Sequence, residues 1–534
     1  MTQKPQPVRL VAPVGALLAG ALVSMAFAPL KWWPLAPLGI ALFTVVLRWG
    51  VQEARSPLGR GARWGYLMGL SLFTLFVGWI SVLGWYVGAA LCLFMAVWGL
   101  LIGWGTSAVR NLPAWPVLTA AMWSLAEFAS SRVPFGGFGW MRLGFTTADS
   151  PLGGLLPWIG VGGVSFLVAL SGTLLAWGVE RVLVRAAHAS SVVTWRRALL
   201  PVGLVAAIFA VGPIAGLAPA RPATGAQVHV GMVQGNVDGT AGSEAMGYAR
   251  SVTNNHLSET IMLMAKARVG ATPMPDFVLW PENSTDIDPT RDVETAALIN
   301  EAVKFAEKPI FVGSVMAGPG KGERQTTGLW VHPEQGIQGR YDKRNLVPFG
   351  EFIPLRDTLL PLLPILEQVG NQAVPGNQPG VLDVPLGVGT DATRLRIGDV
   401  ICFELAWDST VYDTATNGAQ LLVVQSNNAT YTATGQPRQQ FEMTRVRAME
   451  LRREIVVSTT SSFSGYIDAR GRVIDKTRES TSASATYTVP LRAGATPAVI
   501  VGPAWELVAA VVAALGLVAG VVLAVRGRAV SDAG

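Results

Sequence analysis

Ionisable side chains are scarce in this chain of 534 residues: only 14% are Asp, Glu, Lys or Arg, against about 25% in a typical soluble domain. Half of the residues are hydrophobic and the mean hydropathy is +0.40. This excludes a disordered chain, a coiled coil and an ordinary soluble enzyme. Histidine occurs at only four positions, 188, 229, 256 and 332, with no metal-ligand spacing, so no metal site is expected. There is no G-x-x-x-x-G-K-[ST] phosphate loop. Gly318, Gly320 and Gly322 in a polar turn read as a hairpin. The lack of a G-x-S-x-G elbow weakens a serine-hydrolase reading. Cysteine is limited to Cys92 and Cys402.

Acidic residues are the scarcest where the chain is most apolar. Residues 1–218 hold 14 Lys and Arg but 4 Asp and Glu, whereas 219–495 hold 25 and 29, and 496–534 hold 2 and 2. The net charge of +6 therefore comes from the apolar N-terminal part. That pattern suits loops at a membrane surface and not a basic groove for nucleic acid.

Eight apolar stretches are expected to span a bilayer, at about 20 residues each: 10–30, 33–47, 64–83, 86–109, 113–126, 155–178, 198–217 and 507–525. The second and fifth are short. Ala26-Phe27-Ala28 has the form of a signal-peptide cleavage site, but the run before it exceeds the usual ~7–15 residues, which favours a retained span. With the N-terminus inside, 13 Lys and Arg fall in inside segments, including Lys4, Arg9, Arg48, Arg55, Arg110, Arg196 and Arg526. The short outside loops hold 3: Lys31, Arg132 and Arg142. The positive-inside rule then places both termini in the cytoplasm and residues 219–495 outside it.

The expected organisation is a membrane domain over 1–218 with about seven transmembrane helices, an extracytoplasmic domain over 219–495, and a final helix with a short tail over 496–534. In the middle part, strands are expected at 228–232, 277–279, 310–315, 328–331, 400–403, 421–425 and 455–459, and helices at 254–267, 292–306, 410–417 and 438–453. Such alternation predicts an α/β domain with a layered sheet core. The Pro-, Gly- and Leu-rich interval 355–380 reads as a long, partly apolar loop.

Cys92 falls in an apolar span and reads as a small buried hydrophobe. Cys402 has no partner cysteine in its domain. An unpaired thiol there is a candidate nucleophile, and a buried strand residue is the competing reading. A thiol needs a base, and the oxyanion it creates needs a positive group. With few histidines at hand the base is expected to be a carboxylate. Glu282, in Trp280-Pro281-Glu282 after a predicted strand, is placed to face a crevice. Lys343, in Tyr341-Asp342-Lys343, follows a hairpin-like strand pair.

The set Glu282, Lys343 and Cys402-Phe403-Glu404 resembles the Glu-Lys-Cys triad of the nitrilase, or carbon–nitrogen hydrolase, superfamily. Eight spans with such a domain before the last resemble the apolipoprotein N-acyltransferase family within it. Similar segments are Val233-Gln234-Gly235-Asn236, the run from Lys343 to Glu351, Ser426-Asn427-Asn428, Arg447-Ala448-Met449-Glu450, and the loop from Pro134 to Trp140. Two departures stand out. Phe403 occupies a position where the family often has Tyr, and 237–250 lacks the Trp that some members carry after Gln-Gly-Asn.

The resemblance implies a polytopic α-helical membrane protein with an extracytoplasmic αββα sandwich, in a bacterial cytoplasmic membrane. It implies transfer of an acyl chain from a phospholipid to the N-terminal amine of a diacylglyceryl-cysteine apolipoprotein through a Cys402 thioester. Glu282 would be the base, Lys343 and the Phe403 N–H would hold the oxyanion, and Glu351 and Glu404 would position the lysine and the thiol. The bilayer is then a working partner, because lifting an acyl chain from lipid costs about 0.8 kcal/mol per CH₂. No metal or organic cofactor is implied, and no nucleic acid. Leu359, Leu360, Leu362, Leu363, Ile365 and Leu366 are expected to form a substrate-access segment that dips into the outer leaflet, with a buried core helix as the alternative. A membrane-tethered amidase acting on a small amide and a transporter with a regulatory domain are the competing functions.

Overall fold

The computed structural model describes residues 8–51, 54, 56–186, 195–218, 223–239, 242, 245–387 and 393–532. Lys4, Arg55 and His188 lie outside the described residues, as does the stretch 219–222 at the expected domain boundary. The chain divides into two compact units, Met1–Ala218 with Ile500–Gly534, and Pro219–Val499.

The first unit is helical. Its helices are α1 (Val8–Met25), α2 (Leu35–Val51), α3 (Pro57–Val77), α4 (Trp85–Val109), α5 (Trp115–Ser130), α6 (Leu156–Ala186) and α7 (Leu199–Gly216). A last helix over Pro497–Asp532 supplies its C-terminal portion. Among the described residues, five segments are long and apolar enough to cross a membrane: Pro57–Leu83, Trp85–Val109, Pro151–Leu183, Leu199–Gly216 and Pro497–Leu523. Val11–Met25 and Leu35–Val51 are shorter apolar helices. Helices α3 and α4 meet backbone to backbone. A Cβ on Gly65 would sit 2.2 Å from the Gly99 carbonyl oxygen, and one on Gly103 would sit 2.2 Å from that of Gly61. Without a hydrophobic driving force inside lipid, such close approach is what holds helices together.

All three cations assigned to outside loops are paired. Lys31 reaches Asp149 at 3.0 Å. Arg132 reaches Glu506 at 2.8 Å. Arg142, only 2% exposed, bonds the other Glu506 oxygen and lies 4.0 Å from Glu127, which also accepts the Leu143 N–H at 2.8 Å. A buried arginine is tolerated because carboxylates surround it. Glu127 and Glu506, two charges near the ends of apolar stretches, are thus partners in one cluster that ties the last helix to α5 and the loop after it.

The second unit is a four-layer αββα sandwich. In chain order it contains β1 (Ala223–Gln234), α8 (Ser251–Arg268), β2 (Phe277–Leu279), α9 (Val293–Ala306), β3 (Ile310–Ala317), β4 (Glu323–His332), β5 (Gly336–Asp342), α10 (Arg356–Leu362), β6 (Gln372–Ala373), β7 (Val381–Pro385) and β8 (Arg394–Ile401). It continues with α11 (Asp408–Thr416), β9 (Leu421–Ser426), α12 (Gln436–Leu451), β10 (Ile455–Thr459), β11 (Gly465–Ile467), β12 (Val473–Lys476) and β13 (Ala483–Arg492). One sheet runs β13-β1-β2-β3-β4-β5 with β6 beside β4, the other β12-β11-β10-β9-β8-β7. Each has three central parallel strands, β1-β2-β3 and β10-β9-β8, with antiparallel flanks. The sheets bury Val230, Met232, Phe277, Phe311 and Trp330 of one against Leu395, Ile397, Leu421, Val423 and Val456 of the other. Helices α8 and α9 cover the outer face of the first sheet through Leu257, Leu263, Ile299 and Val303.

Three expectations need correction. The strand expected at 400–403 ends at Ile401, and Cys402 opens a 3₁₀ turn over Cys402–Ala406. Strands β7, β11, β12 and β13 lie where none was expected: β12 is fully exposed and β7 and β13 are only partly buried, so they do not read as apolar runs, and β11 is buried but only three residues long. The interval 355–380 is not one loop. It contains α10, a 3₁₀ turn at Pro364–Val369 and β6.

Candidate active site

The parallel strands deliver the key residues to one end of the sandwich, where loops leave their C-terminal ends. Trp280 is buried, its indole N–H donates to Thr260 at 2.9 Å, and its carbonyl accepts from Gln425 of β9 at 2.6 Å. Those bonds fix the chain just before Glu282. Gly313 of β3 allows the passage, since a Cβ there would lie 2.1 Å from the Pro281 carbonyl oxygen. Lys343 leaves the end of β5, and its N–H donates to the Thr326 carbonyl at 2.9 Å.

Lys343 is 2% exposed and stands between two carboxylates, with Nζ 2.9 Å from Glu282 Oε1 and 2.9 Å from Glu351 Oε1. Each carboxylate is held by its second oxygen. Glu282 Oε2 accepts the Asn427 N–H at 2.8 Å, and Glu351 Oε2 accepts the Val347 N–H at 2.7 Å. Burial works against the lysine charge, but Glu282 and Glu351 together hold its pKa well above the ordinary value. The group is a permanent cation.

Cys402 has φ of +52°, a left-handed conformation that costs a side-chain-bearing residue energy and concentrates at functional turns. It is half-buried, and desolvation, then the Glu282 carboxylate, push its thiol up to about 12 against the pull of Lys343. At neutral pH the side chain is a thiol and not a thiolate. Its sulfur lies 3.9 Å from Gln440 Oε1.

Glu404 is fully buried and saturated with donors. It accepts the Ile401 N–H at 2.9 Å, the Arg344 N–H at 2.7 Å, the Asn345 N–H at 3.2 Å and the Tyr341 hydroxyl at 2.9 Å. Phe403 is buried, with its ring edge-on to Trp407 at 6.4 Å. Behind the turn, the buried Asp399 carboxyl has no hydrogen-bond partner among the described residues. Burial, then Glu404 and Glu282, push its pKa well above the ordinary value, which disfavours a further negative charge beside them.

Glu282, Lys343, Cys402, Glu351 and Glu404 thus share one site. The six apolar residues of the access segment do not enter its hydrogen-bond network. None of Leu359, Leu360, Leu362, Leu363, Ile365 and Leu366 is buried, and Leu362 is 70% exposed. A core helix is therefore not what this segment forms. Three contributors went unread in the sequence: the Asn427 N–H, Gln440, and Tyr431, whose buried phenol lies close enough to Cys402 and Glu351 to couple to them electrostatically. The signal was a helix with three glutamines, Gln436, Gln439 and Gln440, on its buried side, a residue type seldom buried without a task.

Residues 19–174 match the family model described as apolipoprotein N-acyltransferase N-terminal domain, and residues 255–495 match carbon-nitrogen hydrolase. The chain is 32% identical over 508 residues to an apolipoprotein N-acyltransferase from Mycolicibacterium smegmatis, covering 92% of this chain and 82% of the relative. It is 29% identical over 538 residues to one from Nitrosomonas europaea, covering 96% and 98%. A solved variant of an amidase of the nitrilase superfamily from Nesterenkonia AN1 aligns at 12% identity and a TM-score of 0.37, covering 51% of this chain and 94% of the amidase.

Proposed function

The chain belongs to the apolipoprotein N-acyltransferase family, and from that premise we propose that it moves an acyl chain from a membrane phospholipid to the N-terminal amine of a diacylglyceryl-cysteine lipoprotein. It is an acyltransferase with a nitrilase-like catalytic domain. The observation that carries the chemistry is Lys343, buried between Glu282 and Glu351 beside the strained Cys402.

Glu282 takes the thiol proton. Both its oxygens already accept one hydrogen bond, and each retains lone-pair capacity for the proton. The thiolate attacks the ester carbonyl of the lipid. Lys343, with the Phe403 N–H in the first turn of the 3₁₀ segment, stabilises the tetrahedral oxyanion. As the intermediate collapses, Glu282 gives its proton to the departing lysophospholipid oxygen, leaving a Cys402 thioester. The lipoprotein amine attacks next, Glu282 accepts a proton from it, and the thiol is restored as the amide forms. Glu351 holds Lys343, and Glu404 holds the turn that carries the thiol.

We assign catalysis to residues 219–495 and membrane anchoring to 1–218 and 496–534, with eight spans, both termini in the cytoplasm and the catalytic domain outside it. The distribution of Lys and Arg supports this orientation. The pairing of Lys31, Arg132 and Arg142 with carboxylates gives those three a structural task of their own. The apolar access segment suits entry of acyl chains. The deciding experiment supplies purified protein with phospholipid and a diacylated lipopeptide. Mass spectrometry should detect a third acyl chain on the peptide, whereas release of free fatty acid without acylated peptide would favour a hydrolase.

A further inference from the structure

The catalytic thiol sits against a buried group of amides that the triad does not use. Gln440 Oε1 accepts from Asn428 Nδ2 at 2.7 Å and from Gln436 Nε2 at 2.9 Å. Asn428 Nδ2 also reaches Gln436 Oε1 at 3.0 Å. All three side chains are buried. In this arrangement Gln440 Oε1 takes both NH₂ groups, which leaves its own NH₂ facing away from them.

The consequence falls on Ser426, the last residue of β9. With Oε1 committed, Gln440 presents its NH₂ to Ser426 Oγ, and the two are in hydrogen-bond contact. A serine hydroxyl that accepts from an amide must aim its own proton elsewhere. The hydroxyl of Ser426 is fully buried, and the pairing of β9 with β8, with Gln425 opposite Ile401, sets Ser426 beside Cys402, where its hydroxyl works to lower the thiol pKa. The other groups facing the sulfur are Glu282, Lys343, Glu351 and Tyr431.

We propose that Ser426, oriented by Gln440, is the hydrogen-bond donor that stabilises the Cys402 thiolate. The assignment rests on the reading of Cys402 as nucleophile and adds a residue to it. In the resting state the S–H has only a long contact, 3.9 Å to a Gln440 oxygen that already serves two donors. When Glu282 removes that proton, the Gln440 contact lapses and the Ser426 O–H remains aimed at the sulfur. The network thus favours the ionised nucleophile over the neutral one, which is the direction catalysis requires. The Ser426 proton is not transferred at any stage.

The test follows Cys402 alkylation by iodoacetamide against pH. The full-length protein carries Cys92→Ala, so that Cys402 is the one thiol, and intact-mass spectrometry gives the rate. Only the thiolate reacts. Ser426→Ala and Ser426→Val should move the profile to higher pH by about one unit, which is ~10-fold slower labelling at a fixed pH below the midpoint. Ser426→Thr keeps the hydroxyl in the shape of Val and should stay within about twofold of the parent. Gln440→Met leaves Ser426 in place but frees its rotor, and should shift the profile the same way by less. An Ala profile that superimposes on the parent overturns the proposal. So does a Thr variant that shifts as far as Val, since sterics would then be the cause. Should the Ala and Val proteins not fold, an unshifted Gln440→Met profile overturns it instead. Labelling needs no lipid, so these outcomes are independent of acyl transfer. The nucleophile reading itself fails on a different result, acyl transfer by Cys402→Ala.

Discussion

Glu404 accepts the backbone N–H of Arg344 at 2.7 Å, which joins the residue after Lys343 to the residue two beyond Cys402. The same carboxylate takes the Ile401 N–H and the Tyr341 hydroxyl. One buried side chain therefore sets the spacing between the loop that carries Lys343 and the turn that carries Cys402. Glu404→Gln offers one acceptor oxygen to donors that now share two. Transfer should fall by about 100-fold, the scale expected when reacting groups shift by roughly 1 Å. Tyr341→Phe removes a single donor and should cost only a few-fold. Steady-state rates of both variants give the comparison, and equal losses would remove the clamp role of Glu404.

Phospholipid alone should add one acyl chain to the protein, removable by hydroxylamine because thioesters are labile to it. Cys402→Ala should carry none, and Glu282→Gln little. Lys343→Ala should lose on the order of 100- to 1,000-fold in rate, as for removal of one oxyanion donor, leaving trace adduct after long incubation. Double variants should be scarcely worse than the worst single, since the groups act as a unit. Intact-mass spectrometry reads the adduct in each case.

Replacing Leu359, Leu362, Leu363 and Ile365 together by Ser should lower turnover and leave the melting temperature within a few degrees, because none of the four is buried. Thermal melting and the transfer assay measured on one preparation separate the two effects. Parent-like turnover would rule out an access role for the segment.

Alkaline pH should destabilise the catalytic domain. The folded state raises the Cys402 pKa from 9.0 to about 12, so between those values the folded protein keeps a proton that the unfolded chain releases. Stability is then complete below about pH 9 and declines as pH rises toward 12. The raised Lys343 acts in the same direction. Cys402→Ala should flatten part of the decline in melting temperature above pH 9, and an unchanged slope would contradict the thiol's share.

Reporter fusions at residue 240 and at the C-terminus should score on opposite sides of the membrane. Two cytoplasmic scores would overturn the orientation and, with it, the access of the site to exported lipoproteins.

Much of this protein is legible along the chain, and the reason is range. Apolar stretches are local, so the membrane-type helices can be read from windows of about 20 residues, and the boundaries of α9 and β9 fall within two residues of expectation for the same reason. Glu282, Lys343 and Cys402 are readable as candidates because each sits in a short segment beside a strand. What the chain order does not contain is who meets whom across 60 to 150 residues. The strand read through Cys402 became a turn with positive φ, because Glu404 draws the Ile401 N–H onto itself. The part played by the Asn427 N–H exists only because the end of β9 in one sheet meets the segment after β2 in the other. Gln440 stands among other glutamines of α12, but its task appears only when α12 packs beside the turn at Cys402. Backbone donors and amide orientations are fixed by three-dimensional hydrogen-bond satisfaction, and that is decided by tertiary structure alone.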